Sequence, residues 1–406
     1  MIETKKNKII SSRIKSIDIF RGLTIFLMIF VNDLISVSNI TYWLKHMPAD
    51  ESGMTIPDIV FPAFLFIVGM SIPLAFKKRL SLGESKIKII LHILIRSAAL
   101  LILGILMVNI GRLNEDLTGM PRNLWSLLMF ISVILLWNTF PADGKLKRRI
   151  YFSLKIIGAC TLIILMVIFR SGTADEPTWL ATSWWGILGL IGWAYLASSI
   201  IYLFAKDNIT TIIAAIGICI AVYIGDHSGA FDFLIFNKSF LLIGPHLAGH
   251  ATITLSGVLL TLLFSKNGFL AEPNKKIKQG ILFALTSAII GYCLHPLYGV
   301  SKIYTTPAFS LYSVSICVLS FLILYWIVDL KKKGELFRIF DPAGSNPLLT
   351  YILPSIIYSI IAVIGLSSYM DFWREGILGV LRSIIFSFLI LWITYLMTKI
   401  NIKLKL

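Results

Sequence analysis

Charged residues are scarce in this chain. They make up 14% of its 406 residues, against about 25% in an ordinary soluble domain. Acidic residues are the rarer sign, with 21 Asp and Glu against 37 Lys and Arg. Cysteine is nearly absent. Cys160, Cys219, Cys293 and Cys317 all lie inside apolar runs without C-x-x-C spacing. That excludes a disulfide framework and a zinc site, and leaves them as packing residues. No fixed-period repeat is visible. The loops are short, the longest being a Gly- and aromatic-rich segment near 226–247, so no separate soluble domain has room. A small-residue cleavage site after the first apolar run is also missing. The first span is therefore expected to act as an uncleaved anchor with its N-terminus in the cytoplasm.

Apolar surface is what the chain has. Hydrophobic residues make up 57% of it, which excludes a disordered or fibrous protein. Apolar runs of about 20 residues recur along its length, the signature of membrane-spanning helices. Twelve candidate spans run near 16–36, 57–76, 89–109, 123–140, 150–169, 184–204, 209–225, 248–265, 279–296, 307–329, 346–365 and 376–398. The expected fold is all-α, a polytopic helix bundle of ten to twelve spans. It reads as one transmembrane domain over 1–406, with motif-bearing spans in 16–109, a variable middle in 110–247 and C-terminal spans in 248–398.

The formal net charge of +16 invites a nucleic-acid partner, but its distribution argues otherwise. Lys and Arg fall in clusters at every second connection, such as Lys77-Lys78-Arg79, Lys145 to Arg149 and Lys331-Lys332-Lys333. Counted by side, 26 lie on one face and seven on the other, among them Lys45, Lys238, Lys302 and Arg374. With an even number of spans, that asymmetry places both termini in the cytoplasm and makes lipid the surrounding partner. High Ile and Lys usage with compact loops suits a bacterial inner membrane, where the sequons Asn39-Ile-Thr41 and Asn237-Lys-Ser239 would be silent.

Polar groups within spans are costly and mark function. Asp18 and Arg21 are three apart and share a helix face. Asn32 lies fourteen residues after Asp18, on roughly the same stripe and about 21 Å further along. An outer loop then carries Lys45-His46, followed by Pro57-Asp58 at the second span. His46 is a natural general base, which Asp58 could orient unless it pairs with Lys45. The bland alternative is an interfacial histidine among Tyr42 and Trp43. Five of the six histidines (His46, His227, His246, His250 and His295) map to the outer half, and Gly244-Pro-His-Leu-Ala-Gly-His250 enters a span with two of them. On the inner side Arg21 and Arg96 lie within spans, where a guanidinium must be paired, snorkel, or hold phosphate. Asn346 opens the eleventh span, where an asparagine is often only a cap. Arg382 has no sequence-local partner.

The run Ser16-Ile-Asp-Ile-Phe-Arg-Gly, then Val31-Asn32, Lys45-His46 and Pro57-Asp-Ile-Val-Phe-Pro-Ala-Phe-Leu-Phe-Ile-Val-Gly69 resembles the heparan-alpha-glucosaminide N-acetyltransferase family of transmembrane acyltransferases. Ile95-Arg-Ser, Leu324-Tyr-Trp-Ile-Val-Asp329 and Gly344-Ser-Asn-Pro-Leu-Leu-Thr-Tyr351 are similar to later parts of the same pattern. The resemblance covers the first 110 residues well and the region after 250 more loosely. The family's Gln-Arg motif after the fourth span is replaced by Trp185-Gly-Ile-Leu-Gly-Leu-Ile-Gly. The stretch 112–180 resembles two additional spans of a bacterial branch of unknown function.

The resemblance implies transfer of an acetyl group from cytosolic acetyl-CoA to the amine of a glucosamine-type sugar on the far side of the membrane. It makes His46 and Asn32 the catalytic pair and brings in Asp18 and Arg21 as a first-span motif. With Arg96 and Asn346, those two are the expected coenzyme A contacts; Asp58, His246 and His250 are the expected acceptor contacts. No metal is implied, and a homodimer is plausible by resemblance alone. The competing reading is a secondary transporter of a sugar or amino sugar, since midplane polar groups serve that equally well.

Overall fold

A computed structural model describes residues 14–141, 144–184, 186–234, 240–265, 268, 271–366 and 373–405. Lys238, the sequon at Asn237 and Trp185 lie outside the described residues. Among the described residues, twelve helices of 16 residues or more carry the chain: α1 (Lys15–Leu34), α2 (Ile56–Ser81), α3 (Lys86–Asn109), α4 (Arg122–Trp137), α5 (Lys145–Ile168) and α6 (Ile187–Ala205). They continue as α7 (Ile209–His227), α8 (His250–Ser265), α9 (Pro273–Tyr298), α10 (Pro307–Leu324), α11 (Pro347–Val363) and α12 (Gly376–Lys399). A π-helical turn, Ile243–Gly249, leads into α8, and another, Tyr325–Leu330, continues α10. Two two-residue strands, Ser171–Gly172 and Pro177–Thr178, pair antiparallel between α5 and α6.

Each expected span has become a helix, because an apolar backbone in lipid must satisfy its own hydrogen bonds. Among the described residues, nine helices are long and apolar enough to cross a membrane, or ten when 334–345 is counted with α11. Two of the twelve expected spans fall short of that standard for physical reasons. α1 carries Lys15, Asp18, Arg21 and Asp33 within 20 residues. α4 has only 16 residues, about 24 Å of rise against a hydrocarbon core of about 30 Å. The protein is an integral membrane protein of the all-α class.

The helices group into two compact units. The first comprises Met1–Thr24, His46–Ile93 and Ala194–Gly344. Its centre is the crossing of α2 and α8. A Cβ on Gly69 would overlap the Thr254 carbonyl oxygen, and one on Gly257 would overlap that of Phe66. Each glycine thus lets the other helix's backbone approach, as small residues do between membrane helices. α8 is buried almost throughout, and the hydroxyls of Thr252, Thr254 and Ser256 are absorbed by carbonyls one turn back. Ile72, Phe76, Ile93 and Tyr202 pack against its Val258 and Leu262.

The second unit comprises Ile25–Lys45, Leu94–Trp193 and Ser345–Leu406. Here α4 and α5 form a hairpin, with the Trp125 indole donating to the Leu165 carbonyl at 3.0 Å. α11 meets α4 through the hydroxyls of Ser359 and Ser126, 3.0 Å apart.

Candidate active site

In the first unit the polar groups gather where the loop entering α2 meets the loop between α9 and α10. α2 opens with Thr55 as N-cap, Pro57 in its first turn and Asp58 at the third helical position. Asp58 Oδ2 accepts from the backbone N–H groups of Thr55 (3.0 Å) and Met47 (3.1 Å) and from the Thr55 hydroxyl (2.9 Å). The carboxylate is therefore fixed by its own helix start, and the helix dipole there favours its charge. Its other oxygen, Oδ1, faces His46 Nδ1 at 2.8 Å. Asp58 has no exposed side-chain surface, while His46 retains 31%. When Nδ1 carries the ring proton it donates to this carboxylate, and Nε2 then keeps its lone pair as a potential base.

A third group enters from the 299–306 loop. Lys302 Nζ lies 3.0 Å from His46 Nδ1 and 3.6 Å from Asp58 Oδ1. Burial pulls its ammonium below the ordinary lysine range, with the Asp58 charge acting in the opposite direction. The loop is stitched to its surroundings. Val300 N–H donates to Ser52 Oγ (2.9 Å), and the Val300 carbonyl accepts from Gly53 N–H (2.9 Å). The Thr305 hydroxyl donates to the Lys302 carbonyl at 3.2 Å and lies 3.4 Å from His250 Nε2. His250 is buried with its ring against Phe61, and its Nδ1 lies 3.3 Å from the His246 carbonyl.

At the start of α1, Arg21 reaches three partners of the first unit: Asp18 (3.2 Å), the Ser71 hydroxyl (2.8 Å) and the Gly344 carbonyl (3.3 Å). Asp18 and Arg21 each keep about a fifth of their side-chain surface exposed.

The second unit holds the remaining candidates. Asn32 is exposed on α1 and lines a cavity of about 300 Å³ with Asp33, Tyr351, Tyr358 and Arg374. Asp33 itself is buried. It takes a hydrogen bond from Ser383 (2.6 Å), another from the Tyr358 hydroxyl, and a charge contact from Arg382 at 3.6 Å. Arg96 is half-buried on α3. Asn346 is buried, and its amide holds the C-terminal tail. Its Nδ2 donates to Thr398 Oγ1 (3.2 Å) and the Ile402 carbonyl (2.8 Å), and its Oδ1 accepts from Leu404 N–H (3.1 Å).

The structure thus brings His46, Asp58 and His250 into one set of loops, with Lys302 and Thr305 as the connecting residues. Sequence reasoning passed over both. The sequence marks Lys302 only as one of seven outer-side cations; its position between two spans, close to the Pro307 start of α10, is the available signal. Three expected contacts are engaged within the fold. Asp58 stands behind His46 and has no surface to offer an acceptor. His250 is buried, and both its ring nitrogens face polar groups of the fold. Asn346, expected near coenzyme A, has its amide committed to the tail.

A helical membrane protein with a buried carboxylate orienting a half-exposed histidine is the class these features define. Residues 13–244, more than half of the chain, match the family described as Domain of unknown function (DUF5009), and the chain belongs to that family. It is also similar to heparan-alpha-glucosaminide N-acetyltransferase of Mus musculus, 32% identical over 183 residues, which is 44% of this chain and 25% of the relative. The Homo sapiens protein of the same name is 40% identical over 114 residues, 27% of this chain and 16% of the relative. The matched part is therefore about a quarter and about a sixth of the length of these curated relatives.

Proposed function

We propose that this protein is a membrane-embedded N-acetyltransferase that moves an acetyl group from acetyl-CoA to the amine of a glucosamine-type sugar. The observation that carries the reading is the 2.8 Å contact between His46 Nδ1 and the buried Asp58. It leaves Nε2 of a half-exposed ring as a base, in a chain similar to two N-acetyltransferases over part of its length.

In this reading the acceptor N–H proton passes to His46 Nε2 as the amine nitrogen attacks the thioester carbonyl carbon. The C–S bond then breaks, and the departing thiolate takes the proton from the imidazolium to leave as coenzyme A thiol. Asp58 stabilises the imidazolium while it exists. Arg21, beside Asp18, is proposed as a contact for the anionic nucleotide from the cytoplasmic side, in a bacterial inner membrane with both termini inside.

The test uses the purified full chain in detergent with acetyl-CoA and glucosamine, following thiol release over time. Release that requires glucosamine and falls by about 10²–10⁴-fold in His46→Ala supports the reading, since a positioned base contributes about that much. Release unaffected by the mutation removes His46 from the chemistry. If neither glucosamine nor a panel of larger amino sugars gives release, while sugar crosses proteoliposome membranes without acetyl-CoA, the protein is a transporter and the reading falls.

A further inference from the structure

His46 Nδ1 has two suitors and room for one. Asp58 Oδ1 lies at 2.8 Å and can only accept; Lys302 Nζ lies at 3.0 Å and, as an ammonium, can only donate. A single aromatic nitrogen carries either a proton or a lone pair in its ring plane. If Nδ1–H donates to Asp58, the lysine faces a hydrogen it cannot bond and keeps only its 3.6 Å contact with Asp58 Oδ1. If Lys302 donates to the Nδ1 lone pair, the carboxylate is the one left facing it, and the ring proton of the neutral imidazole sits on Nε2.

We infer that Lys302 is a positioning residue that sets the proton arrangement of His46, holding the ring in a resting tautomer that Asp58 must reverse before Nε2 can act as a base. While Lys302 donates to Nδ1, Nε2 carries hydrogen and cannot take a proton from an amine. When the lysine withdraws, Nδ1–H turns to Asp58 and Nε2 is freed. Two observations beyond the three distances support this. The burial of Lys302 weakens its hold on its own proton. Its loop is also stressed: Thr305, a buried β-branched residue whose hydroxyl donates to the Lys302 carbonyl, has φ +45°. Such residues occupy the left-handed region only when their surroundings impose it. The charged groups in contact with His46 Nδ1 are Asp58 from α2 and Lys302 from the 299–306 loop. His250 reaches the same loop only through Thr305, and His295 is directed to Ser52.

This inference rests on His46 being the base, but its first test needs no substrate. The full chain is labelled with ¹⁵N-histidine, and the His46 signals are assigned by their loss in His46→Gln. Ring ¹⁵N shifts and one-bond couplings report which nitrogen bears hydrogen. The wild type is expected to show a population with bare Nδ1. Lys302→Met is expected to convert His46 to the Nδ1–H form, and Asp58→Asn to deplete that form. Thiol release then separates positioning from simple charge. Lys302→Arg, a permanent donor, is expected to lower kcat by roughly tenfold with KM unchanged, a part of what a positioned base contributes. Lys302→Met, which removes the donor, is expected to raise kcat above wild type with KM unchanged.

A wild-type ring already fully protonated at Nδ1 and unmoved by Lys302→Met would overturn the inference. So would kinetics in which Arg restores activity and Met does not. If Lys302→Met does not fold, Lys302→Gln, neutral and of similar length, takes its place with the same expected NMR outcome. Should no acceptor ever give thiol release while the tautomers move as described, the enzymatic reading fails and the proton arrangement stands.

Discussion

At the scale of single residues, two buried carboxylates show how differently the same group is used. Asp58 is held by three donors on one oxygen and gives the other to a histidine. Replacing it with Asn keeps the shape but offers Nδ1 an amide of ambiguous hand, so the ring loses its imposed tautomer. Asp58→Asn is expected to lower kcat by about 10²-fold or more with little change in KM, measured by thiol release. Asp33, by contrast, faces Arg382. Arg382→Met would leave that carboxylate buried without its cation, a loss of about 3 kcal/mol. A lower melting temperature of the detergent-solubilised protein would show it, and Asp33→Asn in the same chain is expected to restore most of the loss. His46 and Asp58 were legible in the sequence because they sit twelve residues apart around one helix start, with a Pro-Asp signal to mark it. Arg382 looked partnerless because its counter-charge lies on α1, at the other end of the chain. Lys302 could not be tied to His46 for the same reason: no local pattern connects it to residue 46.

At the scale of elements, the hydrophobic runs located all twelve helices, since lipid leaves an apolar segment no alternative way to satisfy its backbone. What the runs did not reveal was which helices pack most closely. Gly69 was visible as the end of a motif, whereas Gly257 sat unremarked inside α8. Together they permit the α2–α8 crossing. Gly69→Leu is expected to abolish the monodisperse elution peak in detergent, because overpacking at a backbone contact costs at least the ~1–3 kcal/mol seen in ordinary cores and here has no side chain to displace. Gly365→Ala, at a loop position where no neighbouring atom meets an added Cβ but φ is +76°, should cost only about 1 kcal/mol from its backbone strain. Melting curves of the two variants provide the comparison.

At the scale of the whole molecule, the proposed topology rests on the asymmetric distribution of cations. Both termini inside would put residue 45 outside and residue 86 inside. In a background with the four native cysteines replaced by serine, Lys45→Cys should react with a membrane-impermeant maleimide on intact cells. Lys86→Cys should react only after lysis, and the reverse pattern would invert the topology. The two compact units were not legible in the sequence. Each is assembled from three stretches far apart along the chain, and hydropathy carries no information about which distant helices associate.

The π-helical turn before α8 has a consequence for descent. A π turn holds one residue more than the α turn it interrupts, so Ile243–Gly249 has the form of an α-helix that gained a residue. Alignments of more distant relatives should then show a one-residue gap within 243–249. Where that gap falls between His246 and His250, their counterparts would be three positions apart, and the spacing of the two histidines would then separate lineages that branched before the insertion from those that inherited it.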